Sequence, residues 1–251
     1  MAQARLVIKI GGRQVDDPHF LEGLVETARD MADRRMLIVH GGGKEIAAWQ
    51  GRLGLEPHFV EGLRVTDAQS LEVAEMVLSG LVNKRLVARL VADGVDAVGL
   101  SGVDGGLIRV ERMSHPAGDL GFVGRVVEVA PALLEILLKQ GLLPVISPIS
   151  LGLDGHTYNV NADHAALAIA HAVEAEALVF VSDVPGVLVE GRTLAHLDAD
   201  QIEPLIQAEV IRGGMVPKVR SAQEALNEGI PTVRITDLEG LRSGKGTAIT
   251  M

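Results

Sequence analysis

The stretch RLVIKIGGR (residues 5–13) carries a lysine where an apolar residue is expected. Leu6, Val7, Ile8 and Ile10 read as a buried strand, and Lys9 falls inside the run. An unpaired ammonium in an apolar interior costs several kcal/mol, so such a lysine is normally neutralised or paired. Gly11 and Gly12 follow at once. A second apolar run, MLIVH (36–40), ends on His40 and leads into Gly41, Gly42 and Gly43. Successive glycines let backbone N–H groups approach an anion closely, and the helix predicted to follow adds favourable dipole charge at its N-terminus. Either loop alone reads equally well as a tight strand-to-helix turn. A triple glycine, together with a pair that has a lysine two residues upstream, points to phosphate binding.

Three further clusters could carry chemistry. NVNAD (159–163) opens a helical pattern. Asn161 suits its N-cap, but capping does not explain Asn159, Asn161 and Asp163 together. GGMVPKV (213–219) sets Lys218 where glycines give way to a helix, a position that by itself also suits a solvated first-turn residue. EGLRVTD (61–67) places Arg64 in a loop preceded by glycine. Guanidinium binds carboxylates bidentately, so Arg64 is a candidate carboxylate clamp, with a surface ion pair as the alternative.

Familiar nucleotide and metal patterns fail. GLRSGKGT (240–247) has three residues, not four, before its Gly-Lys pair and a glycine after Lys245, so it is not a Walker loop. No GxGxxG follows a strand, and no His–Asp arrangement suggests a general base. His164 and His171 lie seven residues apart on one predicted helix, too far to share an ion without other ligands, and read as helix-face residues. No metal site is expected from side chains alone.

The elements that position these residues alternate along the chain. Strand-length apolar runs at 5–10, 36–40, 96–102, 143–149, 177–183 and 231–236 are separated by longer helical patterns. Near-continuous apolar strands alternating with helices predict an α/β fold with a mainly parallel sheet covered on both faces. Residues 105–129 read instead as an inserted hairpin, and 67–94 as one long amphipathic stretch. Ligands bind beyond the carboxyl ends of the strands in such sheets, which is where both glycine loops fall. The polar segment 152–163 is the candidate junction, dividing the chain into lobes 1–157 and 158–251.

Composition narrows the partners. The 251 residues hold 33 acidic against 23 basic side chains, a net charge of -10 that disfavours nucleic acid. Aromatics are 2%, so Leu, Val, Ile and Ala must build the core. The absence of cysteine excludes disulfides and thiolate chemistry. No apolar stretch is long enough to span a membrane, and a strand reached by residue 5 leaves no room for a leader, so a cytoplasmic protein is expected.

KIGG, HGGGK, GLRVTD, NVNAD, VSDVPGV and GGMVPKV, in this order and spacing, resemble the amino-acid kinase family over essentially the whole chain. The resemblance implies a three-layer α/β/α sandwich whose N-terminal lobe binds the amino-acid substrate and dimerises and whose C-terminal lobe binds ATP. It implies transfer of the γ-phosphoryl of ATP, with Mg²⁺, to the γ-carboxylate of N-acetyl-L-glutamate. Lys9 and Lys218 match the lysines that stabilise the phosphoryl group in transit, and Asp163 the aspartate that orients both. Gly11 and Gly12 match the loop at the transferred phosphate. Gly42, Gly43, Arg64 and Asn159 match the substrate site, and Asp183 with Val210, Ile211 and Arg212 the nucleotide site. A carrier-linked aminoadipate or glutamate substrate and a non-catalytic sensor are the alternatives. Only about four residues precede the first strand, so a homodimer is expected, without the N-terminal helix that joins arginine-inhibited hexamers in this family.

Overall fold

A computed structural model describes residues 5–12, 14–60 and 63–251 of the chain. The chain starts with β1 (Arg5–Ile10), α1 (Pro18–Asp30), β2 (Arg35–His40) and α2 (Gly43–Arg52), then a short antiparallel ribbon of β3 (Phe59–Val60) and β4 (Leu63–Arg64). The amphipathic stretch follows as α3 (Ala68–Glu75), a π-helical segment (Met76–Val82) and α4 (Asn83–Ala92), leading to β5 (Ala97–Gly102). The expected hairpin is β6 (Ile108–Arg112) with β7 (Gly124–Val129), antiparallel. Next come α5 (Ala132–Lys139), β8 (Leu143–Gly152), β9 (Thr157–Asn159), α6 (Ala162–Ala172) and β10 (Ala177–Val181). The chain closes with the ribbon β11 (Leu188–Val189) and β12 (Arg192–Thr193), β13 (His196–Asp198), α7 (Ile202–Gln207), α8 (Met215–Asn227), β14 (Val233–Thr236), α9 (Leu238–Ser243) and β15 (Thr247–Thr250).

One sheet runs through the molecule in the order β13-β15-β14-β10-β1-β2-β8-β6-β7, with β5 and β9 also paired to β8. Its centre is parallel: β10, β1, β2 and β8 lie side by side in one direction. Among the described residues of this sheet, the pairs β14–β15, β6–β7 and β8–β9 are antiparallel. The fold is therefore the expected α/β/α sandwich, with helices covering both faces. Alternation along β1 assigns its side chains to the two layers. Leu6, Ile8 and Ile10 pack with α1, α2, α3, the π-helical segment, α4 and α9. Val7 faces the other core, built with α5, α6 and α8. Lys9 shares the Val7 face by the same alternation. The two cores are thus separated by the sheet, and each extends across the 157/158 junction, which itself falls within β9.

Helix starts differ in a way that bears on the site. Asp17, Asp67, Asn161 and Asp237 cap α1, α3, α6 and α9 by accepting backbone N–H groups, which satisfies donors that a helix end otherwise leaves open. At α2 and α8 the equivalent positions are Gly42 and Gly214, and no side chain caps either helix. Both helices begin at a cleft beyond the strand ends.

Candidate active site

β1 delivers Lys9 to the sheet's carboxyl end, in register with Val39 of β2 and Phe180 of β10. Its ammonium pairs with Asp163 Oδ1 at 2.8 Å, and the two side chains are only 15% and 21% exposed. The aspartate reaches it from the first turn of α6, held there because Asn161 Oδ1 accepts the Asp163 N–H at 2.8 Å. The lysine in the apolar strand is therefore a paired ion at the rim of a cavity of about 340 Å³. Gly12, Gly42, Gly43, Arg64 and Asn159 line the same cavity, with Leu78, Val123, Pro148 and Val160 as apolar walls.

The two glycine loops meet backbone to backbone. A Cβ on Gly12 would lie 2.7 Å from Gly42 Cα, and one on Gly42 would lie 2.7 Å from Leu78 of the π-helical segment. Gly43 differs: a Cβ there meets nothing within 4 Å. Gly11 contributes less than its position suggests. It does not line the cavity, and its N–H is given to Gln14 Oε1 at 3.2 Å.

His40 underpins the second loop. It is fully buried, and burial pulls its pKa down to about 4, so the ring is neutral. Nδ1 lies 3.1 Å from the Gly41 carbonyl and Nε2 3.1 Å from the Asn83 amide nitrogen. Those partners put the ring proton on Nδ1, donating to Gly41, while Nε2 accepts from Asn83. The Asn83 amide also reaches the carbonyls of Val145 and Leu100, at 2.9 and 3.3 Å, tying the ends of β2, β8 and β5 together.

Arg64, on β4, lies with its guanidinium 4.8 Å above the Phe59 ring and donates from Nη2 to the Gly43 carbonyl at 3.3 Å. Glu61 and Gly62, which open its loop, lie outside the described residues, as does Arg13. Burial pulls the Arg64 pKa below its ordinary value, a penalty that a bound carboxylate would relieve. Asn159, on β9, donates to Thr66 Oγ1 at 3.3 Å, and its backbone N–H is bonded to Phe122.

Asp183, Val210, Ile211, Arg212 and Lys218 gather in a second cleft of about 790 Å³, framed by the β11–β12 ribbon and the start of α8. Lys218 belongs to this cleft and not to the first; its Nζ lies 3.4 Å from the Gly214 carbonyl. Among the described residues Asp163 pairs with Lys9 alone. The strands that lead into the two clefts are nevertheless neighbours. β10, which leads into Asp183, is the direct neighbour of β1, with Val181 opposite Ile10. Adjacent strands run about 4.8 Å apart, so Gly12 and Asp183 leave the sheet as neighbours. His164 and His171 lie elsewhere, on α6 facing α8, near Glu224 (3.9 Å) and the Glu228 carbonyl (2.9 Å).

A lysine–aspartate pair and glycine loops at the carboxyl ends of a parallel sheet, beside a second cleft, are the groups that can receive an anionic phosphate, and its relatives place the chain among the kinases. The chain belongs to the amino acid kinase family, whose profile matches residues 4–237. It is 54% identical to the acetylglutamate kinase of Roseiflexus sp. (strain RS-1) over 98% of this chain and 93% of that protein. It is 46% identical to the acetylglutamate kinase of Methanopyrus kandleri, over 97% of this chain and 99% of that protein. Among solved structures, smu.665 from Streptococcus mutans UA159 superposes with a TM-score of 0.83 at 29% identity, covering 98% of each chain.

Proposed function

We propose that this protein transfers the γ-phosphoryl group of ATP to the side-chain carboxylate of N-acetyl-L-glutamate, giving ADP and N-acetyl-L-glutamyl 5-phosphate, the acyl phosphate used in arginine biosynthesis. The Lys9–Asp163 ion pair at the mouth of a cavity that also holds Arg64 carries this reading. Arg64 and Asn159 bind the α-carboxylate end of the substrate, and Gly42 and Gly43 offer N–H groups to its reacting end. The γ-carboxylate, with a pKa of about 4, is already ionised at neutral pH and needs no general base. Its oxygen forms the new bond to phosphorus as the bond to the ADP oxygen breaks.

The obstacle is repulsion between two anions, so positioning and charge stabilisation carry catalysis. Lys9 supplies positive charge from β1, and Lys218 supplies it from the nucleotide cleft formed with Asp183, Val210, Ile211 and Arg212. Gly12, and Gly11 beside it, bring backbone toward the transferred group. Mg²⁺, if bound with the nucleotide, would supply further neutralisation of phosphate charge. Asp163 is engaged by Lys9, and the ion would be carried mainly by the nucleotide's own phosphates.

In this reading residues 1–157 form the acyl-substrate lobe and 158–251 the nucleotide lobe. A homodimer in the cytoplasm is the working state, with Met76 and Leu81, 59% and 37% exposed along the α3–α4 stretch, as candidates for its interface. No helix among the described residues is long and apolar enough to cross a membrane. The test is a substrate panel with ATP and hydroxylamine, which converts an acyl phosphate to a hydroxamate. Hydroxamate is expected with N-acetyl-L-glutamate and not with N-acetyl-L-aminoadipate. The reverse preference moves the enzyme to the aminoadipate branch, and no hydroxamate with either substrate overturns the kinase assignment.

A further inference from the structure

Gln50 is a fully buried glutamine on α2, one turn after buried Ile46, and none of the roles above uses it. Its Oε1 accepts from Arg64 Nη1 at 2.5 Å, and its Nε2 donates to Ser70 Oγ at 2.9 Å. Chemistry fixes that orientation: a guanidinium only donates, so the amide oxygen must face Arg64 and the NH₂ must face Ser70. Ser70 in turn serves the Asp67 carboxylate, the N-cap of α3. Its backbone N–H donates to Asp67 Oδ1 at 2.8 Å. Both donors along Arg64–Gln50–Ser70 point the same way, away from the cation and toward the capped start of α3. Such chains polarise one another in a poorly solvated interior.

We infer that Gln50 is a positioning residue for substrate recognition: it locks the Arg64 guanidinium, between the Phe59 ring and the Gly43 carbonyl, in the one orientation that receives the substrate's α-carboxylate. Arg64 has five N–H donors, of which Gln50 and the Gly43 carbonyl take one each, leaving three for a bidentate carboxylate. Without Gln50 the long side chain regains rotamers that binding must freeze out, and the buried Ser70 hydroxyl loses a donor. The inference rests on the proposed role of Arg64, and the experiment separates the two.

Gln50→Leu keeps the side chain's volume in the core and removes both hydrogen bonds. Steady-state kinetics of the full-length enzyme are compared for wild type, Q50L, R64A and the double variant. Expected for Q50L is a rise of about tenfold or more in KM for N-acetyl-L-glutamate, the scale of one hydrogen bond to a charged group. Its KM for ATP should stay within about threefold of wild type, because Gln50 does not line the nucleotide cleft, and in the R64A background Q50L should add less than about twofold, because the guanidinium through which it acts is already gone. An unchanged KM for N-acetyl-L-glutamate in Q50L, with R64A impaired, overturns the inference and leaves the reading of Arg64 standing. Effects that multiply in the double variant, or a matching rise in KM for ATP, make Gln50 merely structural and also overturn it. An unimpaired R64A overturns the role of Arg64 itself.

Discussion

Lys9 is the residue on which sequence and site meet most directly. Its oddity in an apolar strand was legible because charge and burial conflict there, and the conflict is resolved by Asp163 at 2.8 Å. Lys9→Ala and Lys218→Ala should each lower kcat on the order of 100- to 1000-fold, the usual loss for one well-aimed donor. Far-UV circular dichroism should remain that of the folded protein. Asp163 left without Lys9 still lies in the first turn of α6, where the helix dipole favours a carboxylate. Near-normal turnover in either variant would remove that lysine from the site. Gln50 and Ser70 were not legible. An isolated glutamine carries no chemistry of its own, and its only signal is a polar residue at helical spacing from Ile46 on a buried face. Nor could sequence place the Lys218 ammonium, because the direction of a four-carbon side chain at a helix start is set by tertiary packing.

Among the elements, strands were readable because each central one is a largely apolar run with neighbours on both sides. The two-residue ribbons β3–β4 and β11–β12 are too short for any period to register, although they frame the mouths of both clefts. The amphipathic stretch from Ala68 to Ala92 reads as one helix, yet its middle is π-helical, since one extra residue per turn only blurs a 3.6-residue pattern. Glycine counts revealed the two loops, but their mutual contact is a tertiary fact. That contact predicts opposite outcomes for two similar substitutions. Gly12→Ala pushes a methyl into Gly42 backbone and should both destabilise the protein, by about 1–3 kcal/mol, and abolish most turnover. Gly43→Ala has room around its methyl, so thermal stability should hold while KM for N-acetyl-L-glutamate rises. Equal melting temperatures for G12A and wild type would show that the loops do not depend on each other.

For the molecule as a whole, two buried titratable groups set opposing pH dependences. Glu45, in the first turn of α2, has its pKa pushed up to about 7 by burial, with Asp16 adding to the rise and Arg85 opposing it. A carboxyl held protonated by the fold adds stability that is complete below its unfolded value near 4.5 and is lost as pH climbs through 7. His40, whose pKa falls to about 4, adds stability present above 6.5 and lost as pH drops toward 4. Between pH 4.5 and 6.5 the two slopes oppose each other. Glu45→Gln removes one of them, so its unfolding free energy relative to wild type should rise by about 3 kcal/mol from pH 4.5 to 7 in urea titrations. A difference independent of pH would mean that Glu45 ionises normally. Light scattering at micromolar concentration should give twice the chain mass; a monomer would leave Met76 and Leu81 without the proposed partner.

The π-helical turn between Met76 and Val82 has a cost and a use that cannot be separated. Rewinding the same seven residues as ordinary α-helix would improve the local backbone bonding. Every side chain after the segment would then swing by about 100° around the axis, one residue's rotation. Asn83 would leave His40 and the carbonyls of Val145 and Leu100, and Val82 would shift beneath Gly42. A regular helix would therefore gain bonding and lose the packing under the second glycine loop, which makes the irregular turn a spacer rather than a flaw.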